Sequence, residues 1–238
     1  MHFDQRNFEI KCEWGLPGIE RLSQYSDVII IVDVLSFSTC VDVAVNRGAL
    51  VYPYRWRDGT AEAFTTSVDG VLARSRRHAQ GGYSLSPVSL LGIPTGTRLV
   101  LPSPNGSALS TATRQIPTFA GCLRNARAVA KAAEQIGKRV SVISAGEKWP
   151  DGSLRPAIED LIGAGAIISH LSGKRSPEAE AAVATFASGQ GHLLQTLQQC
   201  GSGREMIDIG FGSDIDLAVT LNQSHCAPLL REGAYLSG

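Results

Sequence analysis

Short runs of apolar, β-branched residues alternate along the chain with Ala-rich segments of helical periodicity. The run DVIIIVDV at 27–34 is apolar almost without interruption, which is typical of a strand buried on both faces of a sheet. Further strands are predicted at 8–14, 49–54, 98–101, 118–121 and 139–144, and helices at 36–47, 60–78, 106–114, 125–136 and 156–171. This alternation predicts a three-layer α/β/α protein with a mostly parallel or mixed sheet.

After residue 172 the pattern changes to consecutive helical segments, at 177–187, 191–199, 204–209 and 213–221, with one short strand at 227–230. The C-terminal third is therefore predicted to be helical. The sequence contains no fixed-period repeat, and we expect residues 1–238 to form a single domain, with two lobes at about 1–100 and 101–238 as the alternative.

Charge and hydropathy exclude several classes of partner. Lys plus Arg and Asp plus Glu both number 22, so the formal net charge is zero, and we expect no nucleic-acid partner. The longest apolar runs fall far short of the roughly 20 residues of a membrane span, and the first 14 residues carry no apolar segment typical of a secretion signal. The sequence therefore predicts a cytoplasmic protein that acts on a small molecule; a homo-oligomer is left open.

The cysteines and histidines do not predict a zinc site. The five cysteines contain no CxxC pair, and the five histidines show neither HxH nor HExxH spacing. A disulfide framework and a zinc hydrolase are both disfavoured by this arrangement. We expect all five cysteines to be packing residues.

Polar and small residues follow four of the predicted strands. In open α/β sheets, ligands bind outside the carboxyl ends of the strands, so we expect these four loops to converge on one site. Asp33 follows the second strand, and the predicted substrate-binding residues follow the others: Ser103, Asn105, Gly106, Ser107, Arg124, Asn125, Ser144 and Gly146.

The segment SPNGS at 103–107 has the features of an anion-binding loop. Gly106 permits close approach of the backbone, and the helix that follows offers free N–H groups. The alternative is an ordinary Asn-Gly turn with Ser107 as a helix cap.

The candidate catalytic and metal-binding residues are acids. Asp33 ends an apolar strand, where it could bind a metal ion, act as nucleophile or base, or cap the next helix. Glu159 and Asp160 fall near the start of a helix, where the helix dipole also stabilises acids. We predict Asp33, Glu159 and Asp160 as ligands of Mg²⁺, which prefers carboxylate, phosphate and water oxygens, and Glu147 as the residue that orients or deprotonates water.

Four ordered segments resemble the 2-phosphosulfolactate phosphatase family. They are VDVLSFSTCVDVAVNRGA at 32–49, SPNGSAL at 103–109, GCLRNARAVA at 121–130 and AGEKWPDGSLRPAIEDLIGAGAII at 145–168. The resemblance implies an α/β/α fold and Mg²⁺-dependent hydrolysis of phosphate from a small phosphorylated sulfonate. It places Asp33, Asn105, Gly106, Asn125, Gly146, Glu159 and Asp160 on the patterned positions of the family.

Two departures from the family pattern concern charges that would face an anion. Ser36 stands where the family usually has Arg, and His78-Ala79-Gln80 stand where a Glu and an Arg are usual. Arg124 or Arg77 would have to compensate. We therefore predict a Mg²⁺-dependent phosphatase acting on a phosphorylated sulfonate or hydroxy acid. The alternatives are a hydrolase with Asp33 as covalent nucleophile and a catalytically silent protein that binds a small anionic metabolite.

Overall fold

The computed structural model describes residues 3–55, 59–76 and 81–238. Its strands are β1 Ile10–Trp14, β2 Val28–Val32, β3 Leu50–Tyr54, β4 Val71–Leu72, β5 Arg98–Pro102, β6 Thr118–Gly121, β7 Val140–Ser144, β8 Glu147–Lys148, β9 Leu154–Arg155, β10 Pro228–Arg231 and β11 Ala234–Ser237. Its α-helices are α1 Gly15–Leu22, α2 Phe37–Asn46, α3 Gly59–Ser67, α4 Gly106–Ala112, α5 Ala126–Ile136, α6 Ile158–Ile168, α7 Pro177–Gly189, α8 Leu193–Gln199, α9 Gly201–Asp208 and α10 Gly212–Ala218.

Within the described residues, nine strands form one sheet in the order β1-β7-β2-β6-β10-β11-β3-β5-β4. The strands β1, β7, β2 and β6 pair in parallel, and so do β3, β5 and β4. The antiparallel hairpin β10–β11 joins these two halves. The predicted α/β fold with a mixed sheet is confirmed, and so is the helical character of the C-terminal third.

Alternate residues of the central strand β2 face opposite sides of the sheet. Val28, Ile30 and Val32 pack in the hydrophobic cluster built with α5, α6 and α7. Ile29 and Ile31 pack in the cluster that contains residues of α1 and α4. A third cluster surrounds α2. The sheet is therefore covered on both sides, which explains why the β2 run is apolar without alternation.

The two halves of the sheet run in opposite directions, because three successive antiparallel pairings separate β6 from β3. The carboxyl ends of β2, β6 and β7 therefore share an edge, whereas β5 belongs to the oppositely directed half. Five steps separate β2 from β5, and a twist of about 20–25° per step accumulates to roughly 100–125°. The loop after β5 nevertheless contacts the residues that follow β2, since the N–H of Gly106 donates to Asp33.

Two local predictions differ from the structure. The helix expected at 60–78 ends at Ser67, and Asp69, with a φ of 49°, turns the chain into β4; residues 77 and 78 lie outside the described part. The single C-terminal strand is a hairpin whose turn is formed by Glu232 and Gly233, both with positive φ, as a tight two-residue β-turn requires. No helix in the described ranges is both long and apolar enough to span a bilayer.

Candidate functional site

The carboxylate of Asp33 lies between the starts of two helices. Its Oδ1 accepts a hydrogen bond of 3.1 Å from the backbone N–H of Phe37, the first residue of α2. Its Oδ2 accepts one of 2.9 Å from the backbone N–H of Gly106, the first residue of α4. Asp33 therefore caps two helices at once, and it brings the loop after β2 against the loop after β5.

Asp160 joins two further loops in the same way. Its Oδ1 accepts from the N–H of Val34 and its Oδ2 from the N–H of Gly146, both at 2.8 Å. Gly146 makes the second bond from a tight turn, in which its φ of 68° is a conformation that glycine adopts without strain. The buried carboxylate of Asp160 thus fixes the segment after β2 to the segment after β7.

Glu147 is held at the start of the small hairpin β8–β9, opposite Arg155. Its Oε2 accepts a hydrogen bond of 2.9 Å from Nδ2 of Asn105. This contact connects the loop after β5 to the loop after β7, so the three acids Asp33, Asp160 and Glu147 together fix the relative positions of three loops.

A cavity of about 200 Å³ opens beside these loops. Its lining residues come from the segment after β2, from residues between β4 and β5, from the loop after β5, from Glu147 of β8, and from α9 and the residue that follows it: Asp33, Leu35, Ser36, Arg76, Leu85, Ser103, Pro104, Asn105, Glu147, Ser202, Glu205, Met206 and Ile209. Asn105 and Glu147 also line a neighbouring cavity of about 410 Å³, together with Arg55 and Lys148. The Asn105–Glu147 pair therefore faces both cavities.

The carboxyl groups near this cavity are difficult to ionise. Burial raises the pKa of Glu147 to about 7, and the charge of Asp33 adds to the shift. Burial also raises the pKa of Asp33, against the effect of its two N–H donors, and raises that of Asp160 well above its usual range. Glu159, itself buried, contributes repulsion to all three. Such a group of shifted acids in a cavity is typical of a functional site.

The loop 103–107 contacts Asp33 rather than presenting free amides. The N–H of Gly106 donates to Asp33, and the N–H of Asn105 lies 3.3 Å from Oγ of Ser103. Oγ of Ser107 donates to the carbonyl oxygen of Leu101. Ser103, Asn105 and Gly106 are thus at the site, whereas Ser107 stabilises the start of α4.

Three other predicted substrate-binding residues have structural partners. Ser144 Oγ donates to the backbone carbonyl of Asp160, and Asn125 closes its own loop through Cys122 and Ala120. Nε of Arg124 lies 2.9 Å from Oδ2 of the buried Asp42. None of these three side chains is among the described residues that line either cavity. The position of Arg124 does not fit a substrate contact.

Arg76 lines the cavity, although it is not among the site residues predicted from the sequence. Its Nη2 donates to Oγ of Ser36 at 2.6 Å, at the position where the family pattern has Arg. From the sequence alone, the arginines at 74, 76 and 77 are expected to form a solvated face near the end of a helix, with a secondary anion clamp as the alternative; Arg77 lies outside the described residues. Ser202, Glu205 and Met206 were also missed; their i, i+3, i+4 spacing on α9 was the one signal that they share a face.

Comparison with known proteins identifies the family of the chain. The family model described as 2-phosphosulpholactate phosphatase matches residues 17–233. The 2-phosphosulfolactate phosphatase of Methanothermobacter thermautotrophicus is 28% identical over 211 residues, covering 87% of this chain and 88% of the relative. A probable 2-phosphosulfolactate phosphatase of Deinococcus radiodurans is 28% identical over 225 residues, covering 89% and 90%. The chain therefore belongs to the 2-phosphosulfolactate phosphatase family, a family of phosphoric monoester hydrolases.

Proposed function

We propose that the protein is a Mg²⁺-dependent phosphatase that hydrolyses the phosphate ester of a small sulfonated or carboxylated 2-hydroxy acid. The observation that carries the proposal is the position of Asp33, a buried carboxylate that faces a small cavity beside Glu147 and Asn105. A volume of about 200 Å³ is below the roughly 300–1,000 Å³ of sites for drug-sized ligands, which favours a small phosphate ester.

The acids present fit a magnesium ion. Mg²⁺ usually takes one or two protein carboxylates and fills its remaining positions with water and substrate phosphate. In the described parts of the chain, no three His, Cys, Asp or Glu side chains form a group able to hold a metal by themselves. The repulsion among Asp33, Glu159 and Asp160 nevertheless favours a cation at this place.

Among the three acids predicted as ligands, Asp33 is the one that lines the cavity, so it would hold Mg²⁺ together with the phosphoryl oxygens. Asp160 is not among the described residues that line either cavity, and its two oxygens join the loops of Val34 and Gly146, so it would act by positioning these loops. When bound, the ion would neutralise charge on the phosphoryl group in the transition state.

Glu147 would accept the proton of the attacking water. A pKa near 7 makes its carboxylate a base matched to neutral pH, and the hydrogen bond from Asn105 holds one of its oxygens in place. The water oxygen forms a bond to phosphorus and the ester P–O bond breaks. The leaving alkoxide then takes the proton that Glu147 accepted from the water, which returns Glu147 to its starting state. The products are inorganic phosphate and the free 2-hydroxy acid.

The proposal is tested by measuring phosphate release from 2-phosphosulfolactate and from phosphate esters of related hydroxy acids, with Mg²⁺ and with excess chelator. We expect turnover that requires the divalent ion and is lost in the Asp33→Asn variant. Full activity in excess chelator would refute the metal-dependent mechanism.

Two other outcomes correspond to the alternatives. A beryllofluoride adduct at Asp33 would show that this residue is a covalent nucleophile. Thermal stabilisation by phosphoesters without any turnover would show a catalytically silent protein that binds an anionic metabolite.

A further inference from the structure

We propose that Arg76 is the residue that binds the anionic oxygens of the ligand in the Asp33 cavity, and that Asp214 is its positioning residue. The inference rests on the proposed function for its substrate class, a phosphate ester, but the contacts that support it are independent of the catalytic step.

The charges around the cavity require a cation. Asp33, Glu147 and Glu205 all line it, whereas Arg76 is the one Lys or Arg among its described lining residues. A phosphate ester carries up to two negative charges at neutral pH, and it would be repelled by these carboxylates. A single Mg²⁺ on Asp33 leaves the rest of that repulsion uncompensated, so a guanidinium at the cavity wall has a clear electrostatic role.

The guanidinium of Arg76 is held from several sides. Nη2 donates to Oγ of Ser36, the group lies 5.6 Å from the ring centre of Phe211, and its side chain is 17% exposed. Behind it, Asp214 is fully buried on α10 and accepts a hydrogen bond of 2.6 Å from Oγ of Ser86. An arginine held in this way loses little freedom when it binds an anion.

The pairing between Arg76 and Asp214 is incomplete. Nε of Arg76 and Oδ2 of Asp214 are 3.6 Å apart, and both atoms are buried without a hydrogen-bond partner. Buried donors and acceptors of this kind are costly unless they are paired. A small rotation of the guanidinium would close this hydrogen bond, and the planar group would remain available to present its N–H donors to phosphoryl oxygens in the cavity.

The experiment measures binding of inorganic phosphate, the product, by calorimetry in the presence of Mg²⁺, together with KM and kcat for the phosphoester. The variants are Arg76→Lys, Arg76→Met and Asp214→Asn. Arg74→Met is the matched control, since it removes the same charge from the same segment at an exposed position. Arg76→Lys keeps the charge beside Asp214, so it remains informative if Arg76→Met fails to fold.

We expect Arg76→Met to weaken phosphate binding by about 10- to 100-fold, the loss that corresponds to hydrogen bonds with a charged group. Arg76→Lys should weaken it by roughly tenfold because it lacks the planar fork, and Asp214→Asn should raise KM more than it lowers kcat. The Arg74→Met control should stay within about twofold of the unmodified protein.

The inference is overturned if both Arg76 variants bind phosphate within about twofold of the unmodified protein while folded. This failure is distinguishable from failure of the proposed function. If only the inference about Arg76 fails, the unmodified protein still releases phosphate from the ester. If the proposed function fails, the unmodified protein releases no phosphate, and loss of phosphate binding in the Arg76 variants would still support Arg76 as the anion-binding residue.

Discussion

Replacing Gly106 by Ala tests the contact on which the geometry of Asp33 depends. Gly106 is the first residue of α4, and its N–H donates to Oδ2 of Asp33. A Cβ at this position would lie 2.8 Å from the same oxygen and would overlap the ring of Phe37. The helix start and the carboxylate therefore cannot keep their positions in the Gly106→Ala variant.

The cost follows from two unfavourable effects and one favourable effect. Overpacking a tight site costs about 1–3 kcal/mol, and losing a hydrogen bond to a carboxylate costs about 1.5–3 kcal/mol. The higher helix propensity of alanine stabilises α4 by up to about 1 kcal/mol and offsets part of this cost. We expect a net loss of roughly 2–4 kcal/mol in the free energy of unfolding. For a chain of this size, this loss corresponds to a melting temperature about 5–15 °C lower.

The assay combines thermal melts with phosphate release. Gly92→Ala is a neutral control, because a Cβ there meets no atom within 4 Å. Gly121→Ala is a destabilised control, since its Cβ would lie 2.6 Å from Ile167 Cδ1, in the hydrophobic core. We expect Gly106→Ala to lose activity beyond what its stability explains, and Gly121→Ala to keep its activity below its melting temperature. A Gly106→Ala protein that melts and turns over like the unmodified protein would refute the reasoning.

Three further predictions concern buried charges. In the metal-free protein, Glu147 should lower stability by about 2–3 kcal/mol as pH rises from 4.5 to about 7, because the folded protein keeps a proton on Glu147 that the unfolded chain releases. In melts across pH, Glu147→Gln should remove this part of the slope and leave the part of the same sign that comes from Asp33 and Asp160, whose pKa values are also raised. Lys11 should give a stability slope of the opposite sign, because burial lowers its pKa from 10.5 to about 8. Stability should therefore rise as pH increases from about 8 to 10.5, and Lys11→Met should flatten this rise. Arg124→Leu should cost about 3–5 kcal/mol because it leaves the buried carboxylate of Asp42 without its guanidinium partner. Adding Asp42→Leu should recover much of that loss and leave KM unchanged. An increased KM in the double variant would show that Arg124 contacts the substrate.

The layered fold was predictable because its signals are local. The run VIIIV of β2 is apolar on both faces, and the helices α2, α5 and α6 start and end close to the predicted residues. The direction of β5 relative to β2 was not predictable. It depends on a C-terminal hairpin inserted between β6 and β3, and long-range strand pairing leaves no mark in either strand's own sequence.

The candidate site was predictable to the extent that it follows strand ends. Asp33, Asn105 and Glu147 line the same cavity, and each lies within three residues of the end of a strand. Arg124 also follows a strand, but its side chain turns to Asp42, whose position on α2 is fixed by tertiary packing. Arg76 contacts Ser36 across 40 residues of sequence, a juxtaposition that no local pattern encodes.

The arrangement of the acids also explains why the fold tolerates an unfavourable concentration of negative charge. Each of the four carboxylate oxygens of Asp33 and Asp160 accepts a hydrogen bond from a backbone N–H group, and these groups belong to three loops. Removing either acid would therefore leave buried donors unpaired. Burial raises the free energy of both carboxylates in their charged, metal-free form, and their pKa values are raised for that reason. A divalent cation would relieve that energy only in the folded protein, where the carboxylates are close together. Binding at this site would therefore stabilise the fold by linkage, and the loops that build the cavity would be most firmly held when the site is ready to react.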